Sequence, residues 1–488
     1  MPQGRRQSEE MYVPVRFSLV PGQQGGVSYP GMHMLTGNGK YENESDIKII
    51  FGLLMLLDAA DFTDPADLTA HRERLWQTQK DYVQAYSGFY RRLWAGKAPP
   101  DKLEAFADMP LSDKEMLRES QKEHGPFGDY LAAVPTLISR IHRTSGTTGT
   151  AMNLCLSARD AEQTAVVGGR AQAASGLGPA HRVVHCLNYR MWMGGLTDHL
   201  TLEATGASVV PFGVGDTRLL IRTIQELGIT AISCTPSYPA VLEQVIAEEF
   251  PGMEPRDLGL KLALFGGEAG LDNAGFRERL ENVWGFKVRN ANYGVTDVFC
   301  NFAGQSEIDN DLHFMALDIL HPELINPETG SVLKWQEGAR GELVLTHMQR
   351  QCQPLVRFRT GDIIELTGTG RAACGRTAPR FRVAGRADDM VVVRGINAFP
   401  AQVAAVLNRF KDLSGEYRIV LDGPGPYDVL PIEAELAEGR AAAGDLEVAL
   451  EQRLKRDIGI SSKISLLPFK SLPRTDGKTR RVIRKEQS

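Results

Sequence analysis

Between residues 182 and 294 the sequence alternates short β-branched runs with amphipathic stretches of helical spacing. The predicted strands are RVVHCL, ASVVPFG, ITAISCTP, LKLALFGGE and KVRNANYG, and the predicted helices include DTRLLIRTIQELG, SYPAVLEQVIAEEF and NAGFRERLENVWG. Strands and helices in this order predict a parallel sheet with crossover helices. Because ligands of such sheets bind beyond the carboxyl ends of the strands, we expect a site near CTPSY, FGGEAG and NYGVTD.

The pattern on either side of this region differs. Upstream, residues 71–88 and the segment SDKEMLRESQ have helical spacing, and Ser112 is predicted to be the N-cap of the second helix. Downstream, ARGELVLTHM and PLVRFRTGDIIELTG predict antiparallel strands, and a small α+β unit follows Phe399. We therefore predict an α/β protein with an extension of unknown role (1–70), a large domain (71–385) that combines parallel α/β sheets with an antiparallel β subdomain, and a small α+β C-terminal domain (386–488).

Composition and charge exclude several classes of protein. A chain of 488 residues is too long for one compact core, and its net charge of −5 provides no basic field for nucleic acid. The six cysteines are scattered without a C-x-x-C pair, which predicts neither a disulfide framework nor a structural zinc site and fits a reducing cytoplasm. The most apolar run, IKIIFGLLMLLDAADF from Ile47, predicts a buried helix, and no secretory signal or membrane span is expected.

The segment RIHRTSGTTGTAMNL, residues 140–154, is typical of an anion-binding loop. Its hydroxyl groups are hydrogen-bond donors, and its glycines allow consecutive backbone amides to point inward. The lysine of the G-x-x-x-x-G-K-[ST] motif is missing, and a surface turn rich in Ser, Thr and Gly is the alternative. The candidate phosphate-binding residues are Thr144, Ser145, Gly146, Thr147, Thr148 and Gly149.

Four further segments follow this loop in a fixed order: NYGVTDV (292–298), FRTGD (358–362), GRADDMVVVRG (385–395) and LPRTDGKTRRV (472–482). With the loop, they resemble the motifs of the adenylate-forming superfamily, and over residues 70–485 the chain is most similar to its phenylacetate–CoA ligase branch. The resemblance implies that ATP and Mg²⁺ activate a carboxylic acid as an acyl-adenylate, and that coenzyme A then displaces AMP.

The resemblance also implies roles for individual residues. Asp297 would bind Mg²⁺ at a position where glutamate is usual, with a helix N-cap as the alternative role, and Thr296 would contact the α-phosphate. Asp362 would accept hydrogen bonds from both ribose hydroxyls, and Arg386 would bind a phosphate, with a turn and a surface ion pair as their alternatives. Gly266, Gly267 and Glu268 would form the adenine-facing turn, with a plain strand-to-helix turn as the alternative. The remaining residues assigned to the nucleotide are Asn292, Tyr293 and Gly294.

The positive charge that the anion-binding loop lacks is expected to come from the small domain. Lys478 in RTDGKTRR resembles the catalytic lysine of adenylation, although its basic neighbours are also typical of a solvated tail. Asp388 matches the hinge position of the family, and its alternative role is to cap a turn. The resemblance thus implies a mobile C-terminal domain that presents Lys478 in one pose and opens a thiol channel in the other.

The acid pocket is predicted from CLNYRMWMGGLTDHL, residues 186–200. If Asn188 or Arg190 points inward, the acid carries a polar or anionic substituent, and core packing is the alternative role of the aromatic residues. The candidate pocket residues are Tyr189, Arg190, Trp192, Gly194, Gly195 and Tyr238.

Three further expectations follow from the resemblance. CGRTAPR contains one cysteine, Cys374, where two are frequent in the family, and we predict no metal there. No G-x-[DH]-S-[LI] carrier site is found in the tail, which favours free CoA as the acceptor over an amine or a carrier protein acting in trans. A homodimer is expected, with neither a membrane nor a nucleic-acid partner, and a non-catalytic nucleotide-binding homologue is the competing class.

Overall fold

The computed structural model of the protein describes residues 60–144, 151–268, 271, 274–387, 389–394, 396–423, 427–441, 445–473 and 481–485. All of these belong to the compact unit that begins at Met55. Within them, no helix is both long and apolar enough to cross a membrane. The N-terminal extension up to residue 59 lies outside the described residues, as do these predicted site residues: Ser145, Gly146, Thr147, Thr148, Gly149, Asp388 and Lys478.

Helices form the first part of the described chain. They are α1 (Pro65–Tyr86), α2 (Gly88–Leu93) and α3 (Lys114–His124), with 3₁₀ turns at Ala60–Phe62, Leu103–Asp108 and Pro135–Leu137. The prediction that Ser112 caps α3 is wrong. The N-cap is Asp113, whose carboxylate accepts a hydrogen bond from Met116 N at 2.9 Å. Ser112 instead donates its hydroxyl to the Val356 carbonyl at 2.9 Å, which anchors the chain just before α3.

The predicted alternation of strands and helices is confirmed. The elements are β1 (Ile138–Arg143), β2 (Asn153–Ser157), α4 (Ala158–Ala174), β3 (Arg182–His185), α5 (Leu196–Glu203), β4 (Ser208–Pro211), α6 (Thr217–Leu227), β5 (Ala231–Cys234), α7 (Tyr238–Glu249), a 3₁₀ turn (Pro255–Leu258), β6 (Leu262–Gly266), α8 (Ala274–Trp284) and β7 (Lys287–Val295). Strands β4, β3, β5, β6 and β7 are parallel neighbours in this order. Every residue of β5 and β6 is buried, as expected of strands that helices cover on both faces.

The antiparallel part continues the same sheet. It contains β8 (Phe299–Gln305), β9 (Leu312–Phe314), β10 (Leu320–Ile325), β11 (Val332–Leu333), β12 (Arg340–His347), β13 (Phe358–Gly368) and β14 (Arg380–Arg386). Together the strands form a 12-stranded sheet in the order β11-β10-β12-β13-β14-β9-β8-β7-β6-β5-β3-β4. Strand β7 is parallel to β6 and antiparallel to β8, so the two halves of the sheet meet at the strand that carries the NYG motif.

The C-terminal part has a hydrophobic core of its own, built from buried residues between Val391 and Val482. Its elements are β15 (Val391–Val393), β16 (Ile396–Ala398), α9 (Pro400–Leu407), β17 (Leu413–Asp422), β18 (Leu430–Leu436), α10 (Leu446–Ile458), β19 (Ser462–Leu467) and β20 (Val482–Lys485). Strands β19, β18, β17 and β20 form a four-stranded sheet in this order. The boundaries at 70/71 and 385/386 stay predictions.

Candidate active site

The Ser/Thr/Gly loop begins and ends on the hairpin of β1 and β2. Thr144 N donates to the Met152 carbonyl at 2.9 Å, and Met152 N donates to Thr144 Oγ1 at 3.0 Å. Both residues are buried, so these two bonds close the base of the loop. Thr144 therefore has a structural role within the described residues, and the phosphate contacts assigned to residues 145–149 stay predictions.

Strands β6 and β7 end side by side, where the adenine-facing residues are predicted. Gly266 pairs with Asn292, and a Cβ added to Gly266 would lie 2.6 Å from the Asn292 Cβ. A Cβ on Gly294 would lie 2.0 Å from the Cys300 carbonyl oxygen on β8. No side chain fits at either distance, so the packing of the strands itself requires both glycines.

Glu268 connects this edge of the sheet to α7. Its two carboxylate oxygens accept hydrogen bonds from Ser237, one from Oγ at 3.0 Å and one from the backbone N at 3.2 Å. Between β6 and Glu268, Gly267 adopts a φ of +82°, a left-handed conformation that favours glycine. The GGE segment thus has a local structural function as a strand-to-helix turn.

Asp362 lies at the centre of a polar group on β7, β13 and β14. Tyr293 donates its hydroxyl to Asp362 Oδ2 at 2.8 Å, and Arg386 Nη1 donates to Asp362 Oδ1 at 2.8 Å. Burial, together with the neighbouring Asp362 carboxylate, raises the pKa of Tyr293 well above its usual value. The fold therefore brings together three residues predicted from three separate motifs. Since a carboxylate has about four lone-pair sites, Asp362 retains the capacity to accept further hydrogen bonds.

Asp297 lies in the turn between β7 and β8 together with the half-buried Thr296. The Asp297 carboxylate is 4% exposed, and its Oδ2 accepts a hydrogen bond from Lys114 Nζ at 2.8 Å. Its Oδ1 is buried and has no hydrogen-bond partner among the described residues. The sequence does not indicate that Lys114, the first residue of α3, belongs to this site, because it lies 183 positions from Asp297.

The surroundings of Asp297 fit a magnesium ion. Mg²⁺ prefers carboxylate oxygens, usually binds one or two of them and keeps several waters. A buried carboxylate oxygen without a partner is costly, which makes Oδ1 a ready ligand. The shorter side chain of aspartate is therefore compatible with the predicted role.

A buried network connects β7 to the predicted acid pocket. Asn292 Nδ2 donates to Asp198 Oδ2 at 2.5 Å, and Thr201 Oγ1 donates to Asp198 Oδ1 at 3.2 Å. Burial raises the pKa of Asp198 to about 7, against the lowering effect of these two hydrogen bonds. Asp198 lies within the segment CLNYRMWMGGLTDHL, but no sequence pattern distinguishes it there. Its complete burial in α5 is what indicates a role.

The pocket segment itself is held by two histidines. Tyr189 OH is 2.8 Å from His199 Nδ1, whose other ring nitrogen is 3.0 Å from Glu203. His185 donates from Nε2 to the Gly194 carbonyl at 3.0 Å, and burial lowers the pKa of His185 to about 4. The loop thus rests on a neutral, buried imidazole, and the Tyr189 hydroxyl already has a hydrogen-bond partner.

The polar residues of this segment lie at or near the surface of the described structure. Arg190 is exposed, and Asn188 Oδ1 accepts a hydrogen bond from Arg190 N at 2.9 Å. Gly195 is buried where a Cβ would lie 2.4 Å from the Asn188 carbonyl oxygen, and Trp192 is half-buried. The place of Asn188 and Arg190 in an acid pocket stays a prediction.

Tyr238 begins α7 and lies apart from this network. Its hydroxyl is 3.4 Å from Thr217 Oγ1 at the start of α6, and burial raises the pKa of Tyr238 to about 12. The side chain packs against the core between the sheet and its helices. Its place in an acid pocket stays a prediction.

Comparisons with known proteins agree with this architecture. The family model for the C-terminal domain of AMP-binding enzymes matches residues 395–486. Phenylacetate-coenzyme A ligase of Thermus thermophilus is 33% identical over 455 residues, which cover 85% of this chain and 97% of the relative. The crystal structure of 2-hydroxyisobutyryl-CoA ligase in the postadenylation state, in complex with R3-HIB-AMP, is 30% identical with a TM-score of 0.77, covering 87% of this chain and 91% of that one.

The same ligase in the thioesterification state, with 2-HIB-AMP and CoA, is 31% identical with equal coverage, 87% of this chain and 91% of that one, but has a TM-score of 0.63. The fold of this chain therefore superposes more closely on the postadenylation state than on the thioesterification state. The fold and these relations define an adenylate-forming enzyme. The chain belongs to the phenylacetate–CoA ligase family.

Proposed function

We propose that the protein converts an aromatic or heteroaromatic carboxylic acid, ATP and coenzyme A into acyl-CoA, AMP and pyrophosphate. In the first step an acid oxygen attacks the α-phosphorus and the bond to pyrophosphate breaks, which gives the acyl-adenylate. In the second step the CoA thiolate attacks the acyl carbonyl and AMP leaves. The protein is thus an AMP-forming acid–CoA ligase.

The observation that carries this proposal is the arrangement around Asp297. A polyphosphate needs cations and donors that spread its charge while an anion attacks it. Asp297 offers a buried oxygen without a described partner beside the strand that carries Asn292 and Tyr293. Mg²⁺ bound at this oxygen would neutralise phosphate charge and act as a Lewis acid.

The residues around this position then have distinct tasks. Lys114 holds the Asp297 carboxylate in a fixed orientation through the bond to Oδ2. Asp362 accepts hydrogen bonds from both ribose hydroxyls, because its carboxylate has two acceptor oxygens. The Arg386 side chain is 45% exposed, so its guanidinium has room to leave Asp362 and bind a phosphate.

Lys478 supplies the remaining positive charge in this proposal, and rotation at Asp388 alternates the pose of the small domain. The separate core of the C-terminal part supports this, because a unit with its own core is able to move as a body.

The acid in this proposal has an uncharged aryl group. The Tyr189 ring packs edge-on against the His185 ring at 5.5 Å, and its hydroxyl already has a partner. Arg190 is exposed and Asn188 is uncharged, so neither offers a buried charge to a substituent. The segment thus favours an apolar ring over an anionic one.

Mass spectrometry tests the reaction. The protein is mixed with ATP, Mg²⁺, CoA and a pooled set of aryl, heteroaryl and short aliphatic acids. We expect a new CoA thioester whose mass identifies an aryl acid. Formation of AMP and pyrophosphate without a thioester would support adenylation with a carrier-protein or amine acceptor, and binding of ATP without turnover would support a non-catalytic homologue. The homodimer stays a prediction, which light scattering after size-exclusion chromatography checks.

A further inference from the structure

Asn292 lies near the carboxyl end of β7, beside the end of β6. A Cβ added to Gly266 would lie 3.1 Å from the Asn292 Cγ, so the amide group covers the last residue of β6. This is the edge of the sheet where ligands of parallel α/β proteins bind. Asn292 is half-buried, so part of the residue remains accessible.

The side chains of Asn292 and Tyr293 point to opposite faces of β7, as neighbours on a strand do. Tyr293 donates its hydroxyl to Asp362 Oδ2 at 2.8 Å and packs edge-on against Phe302, so its face of the strand is that of the proposed ribose site. Asn292 contacts Asp198 on α5 instead, within the segment predicted to form the acid pocket. The Asn292 side chain therefore lies on the acid side of the site and not on the nucleotide side.

Asp198 fixes the orientation of the Asn292 amide. Its Oδ2 accepts a hydrogen bond from Asn292 Nδ2 at 2.5 Å, and its Oδ1 accepts one from Thr201 Oγ1 at 3.2 Å. An ionised carboxylate accepts hydrogen bonds and donates none, so the NH₂ group of the amide faces Asp198 and its carbonyl oxygen faces away. Asn292 Oδ1 has no hydrogen-bond donor among the residues that the structure describes. The site thus contains an acceptor oxygen that is held in a fixed direction.

The buried Asp198 carboxyl opposes folding when it is ionised. Burial raises its pKa to about 7, because the charged form is poorly solvated inside the protein. A buried, titratable carboxyl group beside a ligand site is typical of a functional residue, since selection for stability alone would favour a neutral side chain there.

Apolar groups lie next to this polar pair. Cys300 on β8 is half-buried and packs against a cluster of buried apolar residues: Leu154, Leu156, Ala161 and Met193. Burial, together with the neighbouring Asp198 carboxylate, raises the pKa of the Cys300 thiol well above its usual value, so the thiol is neutral. A mostly apolar wall with one placed acceptor is typical of a pocket for a small organic ligand.

We propose that Asn292 is a specificity-determining residue whose Oδ1 accepts a hydrogen bond from a neutral hydroxyl or amino substituent on the ring of the aryl acid. Asp198 is the positioning residue that holds the amide in this orientation. The inference rests on the proposed function, because it concerns the acid of the same reaction. A neutral donor agrees with the uncharged aryl group proposed above, and the Asp198 carboxylate disfavours an acid with a second anionic group. The proposal differs from the sequence expectation, which assigned Asn292 to the nucleotide.

Steady-state kinetics at pH 8, where Asp198 is ionised, compare phenylacetate with its ortho, meta and para hydroxyl and amino derivatives. We expect kcat/KM of the unaltered protein to be at least about tenfold higher for one of the substituted acids than for phenylacetate, because an acceptor left unpaired beside an unsubstituted ring is costly. Asn292→Leu removes the acceptor at similar volume and should reduce this ratio to about one or below.

Asp198→Asn tests the positioning role. An amide at position 198 is able to donate to Asn292 Oδ1 and reverse the orientation of the Asn292 amide, so the ratio should fall at least about threefold. Because the cost of the buried charge is removed in this variant, a loss of preference would not come from unfolding.

Asn290→Leu is the matched control, because Asn290 lies on the same face of β7 but two positions farther from the end of the strand. It should retain the preference, and circular dichroism verifies that each variant is folded. Turnover without preference for any substituted acid would overturn the inference and leave the proposed function standing, as would a preference that survives Asn292→Leu in folded protein.

If the unaltered protein turns over none of these acids, isothermal titration calorimetry with the same acids distinguishes the two proposals. Tighter binding of a substituted acid that is lost in Asn292→Leu would support the inference even though the proposed reaction had failed. Equal affinities for phenylacetate and its derivatives, or binding of none, would overturn the inference as well.

Discussion

Lys114 and Asp297 are the pair of residues that the candidate magnesium site depends on. The aspartate is almost completely buried, whereas the lysine remains about one-third exposed. Removing one partner of such a pair leaves the other without compensation and costs more than the pair itself contributes. Asp297, which stands at a position where glutamate is usual, is thus paired with Lys114.

Lys114→Met should lower the free energy of unfolding by about 1–3 kcal/mol, because Asp297 loses its cation. Added Mg²⁺ should restore part of this loss, since the ion would compensate the same carboxylate. Thermal melts with and without Mg²⁺ measure both effects. Lys122→Met on the same helix is the control, because Lys122 is 77% exposed and pairs with the exposed Glu119. Equal melting temperatures for the two variants would contradict this role of Lys114.

Asp198 makes the stability of the protein depend on pH. Its folded pKa, about 7, lies above the unfolded value of 3.8, so the folded state binds the proton more tightly. The cost of ionising the buried carboxyl is absent below pH 4, increases as the pH rises towards 7 and is constant above that. Asp198→Asn removes this cost. Its stability relative to the unaltered protein should therefore rise between pH 4 and pH 7, by on the order of 3 kcal/mol.

Urea unfolding of both proteins at pH 5 and pH 8 measures this difference. Glu203→Gln on the same helix serves as a control, since the Glu203 side chain is 53% exposed. A difference between Asp198→Asn and the unaltered protein that is the same at both pH values would mean that Asp198 does not titrate in this range.

At the scale of elements, β7 is constrained by strands on both of its sides. It connects the parallel half of the sheet to the antiparallel half, and it carries Asn292 and Tyr293 towards Asp198 and Asp362. The glycine that follows them allows β8 to approach. The NYG motif therefore has a packing role in the sheet, in addition to any contact with a nucleotide.

Gly294→Ala should destabilise the protein by more than about 3 kcal/mol or prevent folding, because the new Cβ would lie 2.0 Å from a backbone oxygen that cannot move alone. The matched control is Gly178→Ala, since a Cβ at Gly178 meets no atom within 4 Å. Soluble yield and the urea midpoint of each variant measure the effect. A Gly294→Ala protein as stable as the Gly178→Ala protein would contradict the close approach of β7 and β8.

At the scale of the whole molecule, the proposed mechanism uses the same active site for two half-reactions, adenylation and transfer of the acyl group to CoA. Lys478→Ala should lower adenylation at least about a hundredfold, as loss of a positioned charge does, and leave the transfer from a supplied acyl-adenylate to CoA nearly unchanged. The two half-reactions are measured separately, by pyrophosphate release and by thioester formation. Lys485→Ala is the control, because Lys485 pairs with Asp422 at 3.0 Å near the surface. Equal losses in both half-reactions would contradict the alternation of poses.

The sequence by itself determined the parallel sheet and the order of the motifs, because both depend on local spacing. Short apolar runs between amphipathic helices allow few other folds, and the motifs NYGVTD, FRTGD and GRADD predicted Tyr293, Asp362 and Arg386 as members of one site.

Only the tertiary structure decided which groups meet across long separations. Lys114 lies 183 positions from Asp297, and Asp198 lies 94 positions from Asn292, so no local pattern could pair them. The hydrogen bond between Arg190 N and Asn188 Oδ1 likewise depends on how this loop packs on the finished sheet. Burial and the absence of a partner are properties of that packing, and they are what give these side chains their chemistry.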